Sequence, residues 1–268
     1  FSSRRRHTRS IAVTGVQTCA LPISLFQTYV RNKAKACDVV GIRNTTVRMP
    51  ADTPEQELLD KIAELNADDT VDGILVQLPL PKQISEPKVI EAIAQSKDVD
   101  GFHPLNTAAL WQKRPNSSCV VPCTPMGIIR LLEDANYEIA GKNAVVIGRS
   151  QIVGLPITKL LLDRNATVTV CHSKTKNLPE ITRQADILVV AIGRAKFVTG
   201  DMVKDGAAVI DVGMDLDENG KLCGDVDFAS VEPKASVITP VPGGVGPMTI
   251  CCLMENTIQC FLNKVAVR

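Results

Sequence analysis

The segment Gly148-Arg149-Ser150-Gln151-Ile152-Val153-Gly154-Leu155-Pro156 stands where an apolar run, Ala144 to Ile147, gives way to a helical pattern from Val153 to Arg164. Glycine at such a turn lets the backbone approach a ligand closely, and the amino terminus of the helix that follows favours a phosphate. The spacing is not G-x-G-x-x-G, and a glycine turn between strand and helix also serves as a plain tight turn. The surrounding alternation of strands and helices favours the dinucleotide reading, with Gly148, Arg149, Ser150, Ile152, Val153 and Gly154 forming the cofactor turn. The next apolar run, Thr167 to Cys171, leads into His172-Ser173-Lys174. A site for NAD usually has an acid there, about twenty residues on, to hold the ribose hydroxyls. Here hydroxyl and cationic groups stand in its place and Arg149 adds another cation, so a 2′-phosphate, and hence NADP, is favoured. Lys174 also reads as a solvated surface lysine, and His172 as an ordinary structural histidine. Gly193 and Gly213 each follow an apolar run, where close cofactor approach would need a small residue; Ala191 and Met214 stand near them and are counted with the expected cofactor site. Both glycines read equally as simple turns.

A second set of reactive residues lies in the first half. Tyr29 and Lys33 are four apart in a helical pattern, so a phenol and an amine share one face. By itself such a pair is ordinary surface. Gln77 closes the buried run Gly73-Ile74-Leu75-Val76, either as a functional amide or as a strand terminator. Asp98 and Asp100 flank Val99. Pro242-Gly243-Gly244-Val245-Gly246 lacks bulky side chains, so its backbone suits close contact with a flat ligand, or it is a bare turn.

The elements that must position these residues follow from periodicity. A helix is expected over Gln27 to Val40 and a strand over Thr45 to Met49. Thr53-Pro54-Glu55-Gln56 reads as a helix start, with Thr53 as cap and Gln56 completing a capping box; Leu58, Leu59, Ile62 and Leu65 form the buried face. Gly73 to Gln77 reads as a buried parallel strand, which Leu78-Pro79-Leu80-Pro81 must leave. A further helix covers about Glu86 to Ala94. In the second half, strands over Ala144–Ile147, Thr167–Cys171, Ile187–Ala191 and Ala208–Val212 alternate with helices over Val153–Arg164 and Leu178–Gln184. A last helix runs from about Met248 to Asn263. The expected class is α/β with two α/β domains and a cleft between them, the second a Rossmann-like doubly wound parallel sheet. The final helix is expected to pack back on the first domain.

Composition narrows the function. The 268 residues are 45% hydrophobic, enough for one large or two modest cores, and the net charge of +1 argues against nucleic acid or an anionic membrane as main partner. Aromatics at 3% are too few for a base-stacking surface. The nine cysteines include no C-x-x-C pair, so they read as small buried apolar residues in a reducing compartment rather than as a metal site. No apolar stretch suffices for a membrane span. Residues 1–24 differ in character from the rest. The basic run Arg4-Arg5-Arg6-His7-Thr8-Arg9 and the segment Val13 to Ser24 resemble the conceptual translation of a synthetic sequencing adapter, and are expected to be non-native.

Five segments occur in order: VDGILVQLPLP (Val71 to Pro81), KDVDGFHPLN (Lys97 to Asn106), PCTP (Pro122 to Pro125), GRSQIVGLP (Gly148 to Pro156) and ITPVPGGVGPMT (Ile238 to Thr249). Together they resemble the bifunctional methylenetetrahydrofolate dehydrogenase/cyclohydrolase family, from about Gln27 to the carboxy terminus. The resemblance implies NADP-dependent oxidation of 5,10-methylenetetrahydrofolate and hydrolysis of the product, in one-carbon metabolism and purine biosynthesis. It implies a cytoplasmic homodimer. The family's Y-V-x-x-K motif falls on Tyr29-Val30-Arg31-Asn32-Lys33. Lys33 would then be the proton-transfer residue of the cyclohydrolase step, a role suited to a lysine of lowered pKa. Gln77 would hydrogen-bond it. Asp100 would accept two hydrogen bonds from the guanidine-like edge of the pterin, with Asp98 structural. Tyr29, Val76, Gln77, Leu78, Asp100 and Pro242 to Gly246 would form the folate site. Domains would run 25–121 with 248–268 returning to it, and 122–247.

One departure bears on activity. In the family a helix and a strand lead into P-A-S-x-x-Y-V, whereas Phe26 occupies the serine position here. The first helix and strand are therefore expected to be missing, with Ile11 to Val16 not standing in for the strand. The alternative to a working enzyme is a catalytically impaired NADP-binding fragment. A non-enzymatic NADP-binding scaffold, a shikimate-dehydrogenase-like enzyme and a nucleic-acid module led by Arg4 to Arg9 are the remaining rivals.

Overall fold

The computed structural model describes residues 11–18, 23–112 and 119–266, with side chains from Val30 onward. Two compact units divide the chain. Unit 1 comprises residues 1–109, 114–120 and 253–268; unit 2 comprises 110–113 and 121–252.

Unit 1 is built on a three-stranded parallel sheet. Strand β1 (Ile11–Thr18), helix α1 (Ile23–Val40), β2 (Ile42–Met49), α2 (Glu55–Ala67), β3 (Gly73–Gln77), α3 (Glu86–Ala92) and α4 (Pro104–Gln112) follow in order. The sheet order is β2-β1-β3. Strand β1 was not expected. Its eight residues pair in register with β2, from Ile11 opposite Ile42 to Thr18 opposite Met49, and with β3 from Val13 opposite Gly73. The physical reason is that β2 and β3 present two rows of backbone groups that a central backbone must satisfy. Polar–apolar alternation reports how the faces of a sheet are covered, so it carries no signal of this pairing along both edges.

The predicted face of α2 is buried, with Leu58, Ile62 and Leu65 packed against Ile74 and Val76 of β3 and Val89 of α3. Its predicted capping box does not form. Thr53 Oγ1 donates to the Pro50 carbonyl, and Gln56 bonds Asp60 one turn on. Glu55 instead accepts from the Ser85 backbone N–H and from Lys88, tying the helix start to α3. At the other end, the buried Lys97 ammonium donates to the carbonyls of Leu65, Asn66 and Asp68. That satisfies groups the helix leaves without intrahelical partners.

Unit 2 carries α5 (Cys123–Asp134), β4 (Asn143–Ile147), α6 (Gly154–Asp163), β5 (Thr167–Cys171), α7 (Leu178–Thr182), β6 (Ile187–Val190), β7 (Ala208–Asp211), the short antiparallel pair β8 (Asp215–Leu216) and β9 (Leu222–Cys223), α8 (Phe228–Val231), β10 (Val237–Ile238) and the start of α9 (Val245–Ala266). Five strands form a parallel sheet in the order β10-β7-β6-β4-β5. This is the doubly wound arrangement expected from the alternation. Strand order reverses between β4 and β6, and ligands of such sheets bind beyond the carboxyl ends of the strands at that point. Both faces are covered, with Ile128, Ile129, Leu132, Ile157 and Leu161 on one and Met202, Val203 and Val231 on the other. Strands β6 and β7 are buried throughout, as a sheet covered on both faces requires.

Helix α9 begins three residues before its predicted start, and its residues from Leu253 belong to unit 1. There, Cys37 Sγ lies 3.6 Å from Met254 Sδ, Asn256 donates to the Val99 carbonyl, and Lys264 pairs with the buried Asp72 at 2.8 Å. Of the eight described cysteines, five are buried.

Candidate active site

In unit 1 the reactive residues converge on the end of β3. Lys33 and Cys37 lie one turn apart on α1, and Cys37 is 1% exposed, so Lys33 is on the helix face turned inward. Its Nζ donates to Gln77 Oε1 at 3.0 Å. The Gln77 amide is oriented from its other side, because Nε2 donates to the Leu78 carbonyl at 2.9 Å. An amide held at both ends presents its oxygen, not its nitrogen, to the lysine. The chain then turns away through a cis Leu78–Pro79 peptide. Tyr29 lies on α1 one turn before Lys33; its side chain is outside the described residues.

Asp100 is placed by the carboxylate two residues before it. Asp98 is buried and accepts from the backbone N–H groups of Gly101 and His103 and from Asn106 Nδ2, at 3.0, 2.8 and 2.8 Å. Gly101 takes a left-handed φ of 76°, so the turn suits glycine. Asp98 therefore builds the turn, and Asp100 is left to project from it. Burial pushes the Asp100 carboxyl up to about 6; the Lys33 charge opposes this and the Asp98 charge adds to it. Lys33, Gln77 and Asp100 thus share one electrostatic environment. Val76, Leu78 and Asp100 also line a common pocket with Val89, Ile93 and Phe102.

In unit 2, Gly148 sits at the carboxyl end of β4 with φ 121°, and a Cβ there would lie 2.3 Å from the Ala191 carbonyl oxygen. A Cβ on Gly154 would lie 2.4 Å from the Gly148 oxygen. Glycine at these positions lets α6 start directly over the turn and lets the turn rest on the end of β6. Arg149, Ser150 and Gln151 remain exposed, while Ile152 and Val153 are half-buried. Ser150 Oγ accepts from the Val153 and Gly154 backbone N–H groups at 3.2 and 3.3 Å, capping the helix start. After β5, His172 Nδ1 accepts from the Lys174 N–H, so the ring supports its own turn. Ser173 and Lys174 are exposed. Gly193 has a φ of 63° and open space where a Cβ would stand. Met214 is 47% exposed beside the buried Gly213.

These residues fit a dinucleotide bearing a 2′-phosphate. A glycine turn at a helix start, with Arg149 to Gln151 exposed, lies at the strand-order reversal, with open space at Gly193 and no acid among the residues just after β5. In Pro242–Gly246, Val241–Pro242 is cis and Gly243 has a φ of 111°. Val245 is 5% exposed and belongs to the core of unit 2, so its side chain packs inward. Gly246 has nothing near its Cβ position and can offer bare backbone.

Two carboxylates that sequence reading passed over organise this end of unit 2. Asp225 is fully buried and accepts from three successive backbone N–H groups, those of Ile192, Gly193 and Arg194, at 2.7, 3.3 and 2.6 Å. Asp211 accepts from Gly213, Asp225 and Val226, each at 2.9 Å. Burial pushes Asp211 up to about 6 despite these bonds. The available signal was an acid closing an apolar strand, Ala208-Val209-Ile210-Asp211, and another within Gly224-Asp225-Val226.

Known proteins resemble this chain along both of its units. The family model for the catalytic domain of tetrahydrofolate dehydrogenase/cyclohydrolase matches residues 13–100, and that for its NAD(P)-binding domain matches residues 122–265. Bifunctional protein FolD of Streptococcus pneumoniae is 59% identical over 239 residues, covering 89% of this chain and 83% of that protein. The crystal structure of the bifunctional FolD enzyme from Campylobacter jejuni superposes with a TM-score of 0.88 at 48% identity, covering 94% of this chain and 88% of that one. The Trypanosoma brucei FolD structure, complexed with NADP cofactor and inhibitor, has a TM-score of 0.91 at 39% identity, covering 98% and 90%. With both family models matched in turn along one chain, and a lysine–glutamine pair and a doubly wound nucleotide fold in the matched regions, the chain belongs to the tetrahydrofolate dehydrogenase/cyclohydrolase family.

Proposed function

We propose that this protein oxidises 5,10-methylenetetrahydrofolate with NADP to 5,10-methenyltetrahydrofolate and hydrolyses that product to 10-formyltetrahydrofolate. The observation that carries the reading is the 3.0 Å bond between Lys33 Nζ and Gln77 Oε1, close enough to Asp100 for the lysine charge to act on that carboxyl.

Asp100 in its ionised form accepts two hydrogen bonds from the pterin edge and orients the ring, with Val76 and Leu78 supplying apolar contact. Tyr29 addresses the same ligand from the face of α1 that carries Lys33. NADP, when bound, supplies the acceptor for the hydride equivalent that leaves the one-carbon bridge. Gly148 to Gly154, His172, Ser173, Ala191, Gly193, Gly213 and Met214 would hold it, with Arg149 and Ser173 taking the 2′-phosphate. Pro242 to Gly246 offer backbone to the folate. In the hydrolytic step, Lys33 acts from its neutral amine form: Nζ takes a proton as water adds to the methenyl carbon. It returns a proton to the ring nitrogen as the carbon–nitrogen bond breaks. Gln77 holds the amine at the reacting centre throughout.

The test is direct. Formation of NADPH dependent on methylenetetrahydrofolate, together with decay of the methenyl absorbance, is expected from the purified chain. NADP binding with neither turnover would instead establish the impaired-fragment reading. We further propose a homodimer located in the cytoplasm, checked by light scattering after size exclusion and by cell fractionation. Among the described residues no helix is long and apolar enough to cross a membrane.

A further inference from the structure

We propose that Asp225, supported by Asp211, is a positioning residue that sets the two cofactor loops of unit 2 before NADP arrives; the proposal rests on the NADP reading above. The three N–H groups that Asp225 gathers belong to one loop, Ile192 to Arg194, immediately beyond β6. That loop carries Gly193 and follows Ala191, whose carbonyl packs under Gly148. Asp211 holds the neighbouring loop through Gly213 and also holds the backbone of Asp225 and Val226. One carboxylate therefore anchors the other, and together they fix the loops after β6 and β7.

Two glycines make this approach possible. A Cβ on Gly213 would stand 2.3 Å from the Asp225 backbone nitrogen, and one on Gly224 would stand 2.0 Å from Asp211 Oδ2. Asp225 is fully buried, so it acts through the backbone it holds. A carboxylate takes three converging donors because it is acceptor-only, whereas a carboxamide of the same shape turns its NH2 group towards N–H groups. Free backbone in a loop normally costs conformational entropy when a ligand orders it. A loop already tied down removes that cost from cofactor binding.

The experiment is amide hydrogen exchange on the full chain, with and without NADP, joined to NADP titration of wild type and Asp225→Asn. In the wild type without NADP, the amides of Ile192, Gly193 and Arg194 are expected to be protected already, and to gain less than about threefold on binding. Asp225→Asn is expected to speed their exchange and to raise the NADP dissociation constant about tenfold, the scale of one lost charge-assisted hydrogen bond. The folate KM should stay within about twofold, a split that general loss of fold would not produce. Wild-type amides that exchange as an open loop until NADP binds would overturn the proposal. So would a folded Asp225→Asn protein that binds NADP as the wild type does. If that variant does not fold, the wild-type exchange pattern decides. Protected loop amides in a wild type that does not bind NADP would refute the dinucleotide reading instead.

Discussion

Replacing Asp100 by Asn should stabilise the protein while disabling it. Burial raises the Asp100 carboxyl from 3.8 to about 6, with the Lys33 charge already counted against it. The sign follows from proton binding. Below pH 3.8 the group is protonated in both folded and unfolded chains and contributes nothing to the difference. Between 3.8 and about 6 the folded chain keeps a proton that the unfolded chain has released, so stability falls as pH rises. Above about 6 the folded state carries the full cost of an ionised carboxylate in a poor environment. At about 1.4 kcal/mol per pH unit, that cost is at most ~3 kcal/mol, reduced by the solvent that still reaches the residue. Asn is nearly isosteric and uncharged, so it removes the cost. Urea unfolding followed by circular dichroism at pH 4 to 8 should give a variant-minus-wild-type difference near zero at pH 4. The difference should rise to about 1–2 kcal/mol by pH 7.5. Activity should move the other way, because the amide cannot accept two bonds from the pterin: kcat/KM should drop by about one to two orders of magnitude. In the wild type, kcat/KM for folate should fall as pH drops below about 6, where Asp100 becomes neutral. A variant that is no more stable at pH 7.5, or one that keeps wild-type turnover, would refute the placement of a buried, functional carboxylate at this position.

Three further outcomes follow from the geometry. Lys33→Met leaves Gln77 held by Leu78 but removes the proton carrier, so methenyl hydrolysis should fall by about a hundredfold, more than NADPH formation does. Decay of the methenyl absorbance measures this, and undiminished hydrolysis would remove Lys33 from the mechanism. Gly148→Ala forces a Cβ to within 2.3 Å of the Ala191 oxygen at a φ of 121°, and should cost about 2 kcal/mol or more, read as a lowered urea midpoint. Arg149→Ala should lower the NADP-over-NAD ratio of kcat/KM about tenfold; an unchanged ratio would put the 2′-phosphate elsewhere.

Much of unit 2 was legible because its elements are locally coded. Strand Thr167–Cys171 appears with the predicted bounds, and the other three predicted strands differ by a residue at one end. Uninterrupted apolar runs separated by helical periods leave little choice for a parallel sheet. Strand β10, two residues long, is too short for any period and exists because β7 has an edge to cover. The capping box at Thr53 shows the limit of local chemistry. Its residues suit a cap, yet Thr53 donates to the Pro50 carbonyl and Gln56 to Asp60, while the neighbouring Glu55 is held by Ser85 and Lys88, thirty or more residues on.

By itself the sequence determined the class, the alternation, the glycine turn and the reactive residue types, because these rest on periodicity and on side-chain chemistry. Tertiary structure alone decided which of those residues act together. Nothing in the local pattern orients the Gln77 amide towards Lys33, separates Asp98 as turn-builder from Asp100 as the raised acid, or makes Ile11–Thr18 a central strand. Each depends on partners far along the chain, on burial and on backbone groups that must be satisfied. Asp225 is the clearest case: an acid whose only local mark is a glycine before it and a valine after becomes the anchor of three amides thirty-one to thirty-three residues away. Only the folded chain brings those donors to one carboxylate.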